Sequence, residues 1–359
     1  MATGLARQPL GSERTKVIQS IQALRAIAAL AVVAMHIPED LAVRGYGHLP
    51  AFVRGAFGVD LFFVISGFIM VYASRHLFAR KGAGLEFILR RAARIVPTYW
   101  AVTSVLVYIA RQQIGVNPDY SWQHIVASYL FLPYPNPRDG STLPLLPLGW
   151  TLNYEMFFYG VFALALVLPR VAAIAAISVL FITMTIAGAL LPLPQPLRFW
   201  ADPQILEFVY GMLLAEAHLR GFRLSRPAAV LALVAGAGGV MLYEPGISSS
   251  ALPRGIAWGL PAAAIFAGVV LSERWSARST GILPALGAAS YSLYLTHPVL
   301  FIFMALYFTR LGLPAYSPLL LTAGLWLLGA VVVAAVTYVA FERPVTRFLQ
   351  QRIGSRPAA

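Results

Sequence analysis

The sequence contains no cysteine. That removes disulfides, thiolate metal sites and a covalent cysteine intermediate at once. Charge is scarce as well. Only 11% of the 359 residues are Asp, Glu, Lys or Arg, against about 25% in an average soluble domain. No hydrophilic run is long enough to form a separate globular domain. There is no fixed-period repeat, no low-complexity tract and no dinucleotide or phosphate-loop glycine motif. No G-x-S-x-G elbow presents a serine nucleophile.

What is present is apolar surface. Hydrophobic residues make up 59% of the chain, more than a soluble core can hide. A bilayer hides it and demands helices or a closed barrel. The apolar segments run about 17–25 residues without strict alternation, which favours helices over short alternating strands. The expected fold is all-α and polytopic, with ten spans near 20–37, 55–74, 97–114, 150–168, 171–191, 203–218, 226–242, 255–272, 286–309 and 317–341. Residues 1–19 and 345–359 are expected as cytoplasmic tails around one membrane domain, 20–344. The polar, basic N-terminal residues precede no small-residue cleavage site, so the first helix is expected to stay uncleaved. Prolines 97, 169, 192, 203, 227 and 344 are placed at span edges. Segment 124–132 is too short to span and reads as re-entrant or interfacial. The Pro-, Asn- and Tyr-rich loop 115–149 reads as a lid or acceptor surface.

The net charge is +13, almost all from arginine. These cations sit mostly in short loops, so topology and anionic headgroups explain them better than nucleic acid does. With the N-terminus inside, 19 Lys and Arg fall on the cytoplasmic side, from Arg7 in the N-terminal tail to Arg356, and 7 outside, including Arg138 and Arg254. This bias supports ten spans with both ends cytoplasmic.

Several charges lie inside the apolar segments, where each costs roughly 2.5–3.5 kcal/mol on insertion scales. Arg25 and His36 share the first span. Eleven steps of about 100° bring them to one face, with Gln22, Ala29 and Val32 on the same stripe. They are about 16 Å apart along the axis, Arg25 toward the cytoplasm and His36 toward the outside. Asp60 in the second span, Glu155 in the fourth, Glu207 in the sixth and His297 in the ninth fall at outward depths too. Asp60 beside His36 would orient the imidazole and stabilise its protonated form. The structural alternative is a charge partner for Arg54 or Arg44. On the inner side, Arg90, Arg91 and Arg94 precede Pro97, and Arg91 and Arg94 share a helix face. They read either as topology signals or as a phosphate site.

The two sets suggest one machine. Arginines at the cytoplasmic face hold a phosphorylated donor whose reactive end reaches outward to a histidine and a carboxylate. Acyl-CoA has that shape. His36 would take the proton of an acceptor hydroxyl as it attacks the thioester. Direct transfer suits a chain without cysteine.

These residues match a known pattern. IQALRAIAALAVVAMH, with ten residues between Arg25 and His36, resembles the first helix of the membrane acyltransferase-3 family. GVDLFFVISGF resembles its second-helix motif and RRAARIVPTYW its R-x-x-R segment, at Arg91 and Arg94. GWTLNYEMFFY, SYSLYLTHP and the late FERP (Phe341 to Pro344) also match. The resemblance implies a ten-helix bacterial inner-membrane enzyme, an acyl-CoA donor (acetyl-CoA expected), no metal and a catalytic His36. Asp60 and Glu155 are its expected catalytic partners. Arg25, Arg91 and Arg94 are the expected donor-binding set, and Trp150, Asn153 and His297 the acceptor-binding set. GWTLNYEMFFY is similar to the branch tied to exopolysaccharide O-acetylation, which implies a glycan acceptor and polysaccharide-assembly proteins as partners. Some relatives carry a fused extracytoplasmic hydrolase-like domain. Its absence is expected here, so a partner finishing the transfer would be a separate protein.

Other readings are kept open. The acceptor hydroxyl could belong to a lipid or a macrolide-like small molecule. Buried charges could line a transport path, although no internal repeat supports this. A structural subunit of a polysaccharide machine would keep the fold without needing His36. The H-x4-D motif of soluble acyltransferases is absent, because His36 and Asp40 are spaced H-x3-D with Pro38 between. A membrane-bound O-acyltransferase of another fold would use His297, against which the Arg25 to His36 spacing argues.

Overall fold

The computed structural model describes residues 10–112, 121–136, 139–243, 252–272, 281–312 and 318–354. Residues 115–120 and 137–138 of the expected lid, and the cations Arg7, Arg138, Arg274, Arg278 and Arg356, lie outside them. The described residues are almost entirely helical. In chain order come α1 (Leu10–Val43), α2 (Phe57–Ala73), α3 (Ala83–Arg111), α4 (Trp122–Tyr129), α5 (Trp150–Ala165), α6 (Arg170–Leu190), α7 (Leu197–Trp200) and α8 (Leu206–Leu219). Then follow α9 (Arg226–Leu242), α10 (Arg254–Ala257), α11 (Gly259–Val270), α12 (Ile282–Ala288), α13 (Ser290–Arg310), α14 (Leu319–Thr337) and α15 (Arg343–Gly354). Among the described residues there is no strand. One isolated bridge joins Leu224 and Ser272.

Among the described residues six helices are long and apolar enough to cross a membrane, and they fall on the expected spans one, two, three, five, nine and ten. The helices at the other four expected spans are shorter. α5 has 16 residues and α8 has 14, below the roughly 17–25 that a straight crossing needs. Both are packed inside the bundle. On the perimeter the apolar side chains point outward: Leu190 is 76% and Leu242 91% exposed. Such a surface is stable against lipid and costly against water.

Two differences from the expected spans matter. α3 begins at Ala83, so Arg90, Arg91 and Arg94 are helical residues rather than loop cations, and Pro97 sits inside the helix instead of at its edge. A proline removes one backbone N–H, and neighbouring side chains repair such breaks in buried helices. The Tyr291 hydroxyl donates to Ile95 O at 2.8 Å and ties this part of α3 to α13. The short apolar segment forms α4 and docks on α3. Tyr99 donates to Ser128 O (3.0 Å) and Trp100 Nε1 to Tyr129 O (2.8 Å).

Small residues allow a close approach of α2 and α8. A Cβ on Gly67 of α2 would lie 2.1 Å from Phe208 O of α8, and one on Gly211 would lie 2.1 Å from Val64 O. Only glycine lets the two backbones meet this closely. Packing then divides into two apolar clusters. One is centred on α2, α3, α5, α6, α8 and α11; the other joins α1, α13 and α14 through Val33, Phe301 and Trp326. The polar side chains of α1 and α13 lie where these clusters meet.

Candidate active site

A cavity of about 170 Å³ opens among α1, α2, α3, α5 and α13. Helical spacing selects its wall. α1 contributes Gln22 and Arg25, α3 contributes Arg91, Arg94 and Ile95, and α5 contributes Thr151, Leu152, Glu155 and Tyr159. α2 contributes Val59, Phe62 and Ser66, and α13 contributes Ser290, Tyr291 and Tyr294. These sets repeat at three and four residues, the spacing of one helix face.

The wall is mostly apolar but carries three guanidinium groups and one carboxylate. Arg25 donates through Nε (3.1 Å) and Nη2 (2.9 Å) to Ser290 Oγ. The Arg91 guanidinium lies over the Phe87 ring, 5.8 Å from its centroid. Its buried Nε has no hydrogen-bond partner, and neither has Gln22 Oε1. Glu155 accepts from Ser66 Oγ (3.1 Å) and from the Tyr159 hydroxyl. Behind the wall, Glu342 accepts from Ser292 Oγ (2.6 Å) within electrostatic reach of Arg94 and Arg25. Glu342 ends the single π-helical turn Tyr338–Glu342. Even with Glu342 counted, positive groups outnumber negative ones. An apolar cavity with surplus fixed positive charge favours an anionic occupant.

A second polar feature lies further along α1 and α13. His36 Nδ1 is 2.8 Å from Val32 O and 3.4 Å from His297 Nε2, and His297 Nδ1 is 3.0 Å from Leu293 O. The two rings are 5.2 Å apart between centroids. His297 is fully buried and His36 partly exposed. Arg25 meets Ser290 at one level and His36 meets His297 at the next, so α1 and α13 run in the same direction. Tyr294 stands between the two features. It lines the cavity, and its ring centroid is 6.4 Å from that of His297.

Residues 18–342 match the family described as an acyltransferase domain, acyltransferase-3. The chain belongs to the acyltransferase-3 family. It is 37% identical over 300 residues to the exopolysaccharide production protein ExoZ of Rhizobium meliloti (strain 1021), covering 82% of this chain and 91% of that one. It is 29% identical over 311 residues to the acyltransferase MdmB of Streptomyces mycarofaciens, covering 78% of each. No solved structure matches. The protein is therefore a membrane acyltransferase.

Within this acyltransferase the expected site residues fall into three places. Arg25, Arg91 and Arg94 meet on the cavity wall. His36 and His297 meet beside it. Asp60 is elsewhere, which corrects its expected pairing with His36. It is fully buried and bonds Arg254, with Oδ2 2.8 Å from Nη2 and Oδ1 3.1 Å from Nε. Arg254 also donates to Ala56 O at 2.9 Å. The cause is helical phase. Asp60, Val64 and Gly67 form the stripe of α2 facing α8, whereas Val59, Phe62 and Ser66 face the cavity. Neither Arg44 nor Arg54 is the Asp60 partner: Arg44 bonds Asp40 at 2.9 Å, and Arg54 donates to Met241 O at 3.2 Å. Glu207 is fully buried beside Asp60, not beside His36.

Glu155 also departs from the expected grouping. It sits with the arginines rather than with His36. Trp150 and Asn153 are absent from the cavity wall. Asn153 is two residues, about 200°, from Thr151. Its backbone oxygen accepts from Trp200 Nε1 at 3.3 Å, and its side-chain amide has no partner. Trp150 packs edge-on against Phe63 and Tyr154. The reading of individual residues missed Ser66, Tyr159, Ser290 and Glu342. All four lie inside or next to the quoted motifs, in ISGF, EMFFY, SYSLYLTHP and FERP, and that proximity was the available signal.

Proposed function

We propose that this acyltransferase moves an acyl group, acetyl in the first instance, from cytosolic acyl-CoA to a hydroxyl of an exported glycan. The proposed topology has ten passes with both ends cytoplasmic, in a bacterial inner membrane. The observation that carries the reading is the meeting of Arg25, Arg91 and Arg94 in one largely apolar cavity with a single lining carboxylate. A phosphorylated donor supplies the missing negative charge, and the unpartnered Arg91 Nε and Gln22 Oε1 offer it a donor and an acceptor. Ser66 and Tyr159 hold Glu155 away from full pairing with the arginines. The similarity to an exopolysaccharide production protein supports the choice of acceptor.

The chemistry assigned to the site is one displacement. The acceptor hydroxyl gives its proton to His36 Nε2 as its oxygen bonds the thioester carbonyl carbon. The carbon–sulfur bond then breaks, and the leaving thiolate takes the proton from His36. The products are an ester and free CoA thiol. A positioned base of this kind typically contributes 100- to 10,000-fold.

The test compares surface glycans from cells expressing wild type and His36→Ala by mass spectrometry, alongside donor binding to purified Arg91→Ala and Arg94→Ala. One acyl group per repeat is expected to disappear in the first variant. Each arginine variant should weaken acetyl-CoA binding about 10- to 100-fold, the worth of one charged hydrogen bond. Full acylation by His36→Ala, or unchanged donor affinity in both arginine variants, would overturn the proposal.

A further inference from the structure

We infer that His297 is a positioning residue for His36 rather than a substrate contact. The inference rests on the proposed role of His36 as base and adds the identity of the group that orients it.

A backbone carbonyl only accepts. His36 Nδ1 lies 2.8 Å from Val32 O, and His297 Nδ1 lies 3.0 Å from Leu293 O. Each Nδ1 therefore carries the hydrogen, and in a neutral ring each Nε2 is then a bare lone pair. The Nε2 lone pair of His297 faces His36 Nδ1 at 3.4 Å. The His36 Nδ1–H is thus shared between Val32 O and His297 Nε2, and its own Nε2 is left free to take a proton.

This arrangement does with an imidazole what a carboxylate does in a catalytic triad. It holds the tautomer and ring orientation and receives a stronger hydrogen bond once the base is protonated. Asp60, bonded to Arg254, is not available for the task. His297 is itself fixed by its i−4 carbonyl and by the Phe301 ring 5.5 Å away, so it contributes a rigid acceptor. A fully buried ring behind His36 suits support of the base better than contact with an acceptor.

The experiment uses the full chain in lipid nanodiscs, with acetyl-CoA as donor and alkali-deacetylated exopolysaccharide as acceptor. His297→Leu is expected to lower kcat about 10- to 100-fold, less than loss of the base itself, since Val32 O still holds the tautomer. The KM of each substrate should stay within about twofold. His297→Gln places an amide oxygen near the Nε2 position and should recover most of kcat. A raised acceptor KM with unchanged kcat, an unaltered His297→Leu enzyme, or a Gln variant no better than Leu would overturn the inference. Nitrogen-15 histidine spectra of the wild type supply a readout independent of turnover. A bare Nε2 on both rings is expected, and an Nε2–H tautomer at either would overturn it. An active His36→Ala enzyme or a wild type inert toward this acceptor defeats the proposed function, whereas an inert His36→Ala with a normal His297→Leu defeats only the role of His297.

Discussion

Replacing Arg254 with methionine should destabilise the bundle severely, and replacing Asp60 with leucine as well should rescue it. Asp60 is fully buried, while the Arg254 side chain is 24% exposed. The pair is joined by two bonds of 2.8 and 3.1 Å. Arg254 further ties down Ala56 O at the start of α2 and covers the Trp258 ring at 5.1 Å. Removing the guanidinium strands a carboxylate in an apolar site, with Glu207 beside it. Breaking a buried pair in this way costs about 3–5 kcal/mol. Since 1.4 kcal/mol is a factor of ten, that is roughly a hundred- to several-thousand-fold in the folded ratio. The double variant has no stranded charge, and swapping a buried pair for apolar residues is often neutral. A double-mutant cycle should therefore show a coupling of at least about 3 kcal/mol, the cost of the Arg254 variant alone when the double variant is near neutral. The assay is reversible unfolding of purified protein in mixed micelles, with acyl transfer measured on the folded fraction. Turnover per folded molecule should be nearly unchanged in the double variant. An Arg254→Met protein as stable as wild type, or a double variant no better than the single, would refute the assignment. A stable double variant without turnover would return Asp60 to the chemistry.

Two further outcomes follow from the same packing. Glu207→Gln should raise stability by about 1 kcal/mol in the same unfolding assay. It replaces one of two carboxyl groups crowded against a single guanidinium, which must repel or share a proton, with a neutral amide; a clear loss of stability would show that the Glu207 carboxyl makes an interaction worth more than this crowding costs. Gly67→Ala should destabilise by about 1–3 kcal/mol, the usual cost of overpacking, because its Cβ would meet Phe208 O at 2.1 Å. A thermal midpoint equal to wild type would mean that α2 and α8 separate freely.

The fold class was legible because apolar segment length alone demands helices. The alignment of Arg25 with His36 was legible for the same reason: both lie on one helix, and helical phase is arithmetic. His36 with His297 and Arg25 with Arg91 were matched by depth, a coordinate that span boundaries supply. The azimuth of one helix against another was not legible. Asp60 shows this most clearly. It is at the expected depth, yet one position of phase turns it from the cavity to α8, where its partner comes from a four-residue helix 194 positions away. Glu155 departs from its expected grouping by depth instead, since α5 presents 151, 155 and 159 to the arginine-lined cavity along its length. Pro97 misled for a different reason. Proline usually marks a helix boundary, and here the break is tolerated inside a buried helix.

These placements change how the acyltransferase divides its labour. A sorting by depth alone would make the outer residues chemistry and the inner ones binding. The structure sorts instead by side-chain contact. α3 and α5 bring Arg91, Arg94 and Glu155 to the cavity where Arg25 of α1 bonds Ser290 of α13; further along the same two helices His36 meets His297. α1 is common to both, so the ten residues between Arg25 and His36 set the distance from the cavity arginines to the histidine pair. An inserted residue would turn His36 by about 100° away from His297 while leaving Arg25 in place. In the proposed mechanism this spacing, more than either side chain alone, would couple donor binding to transfer.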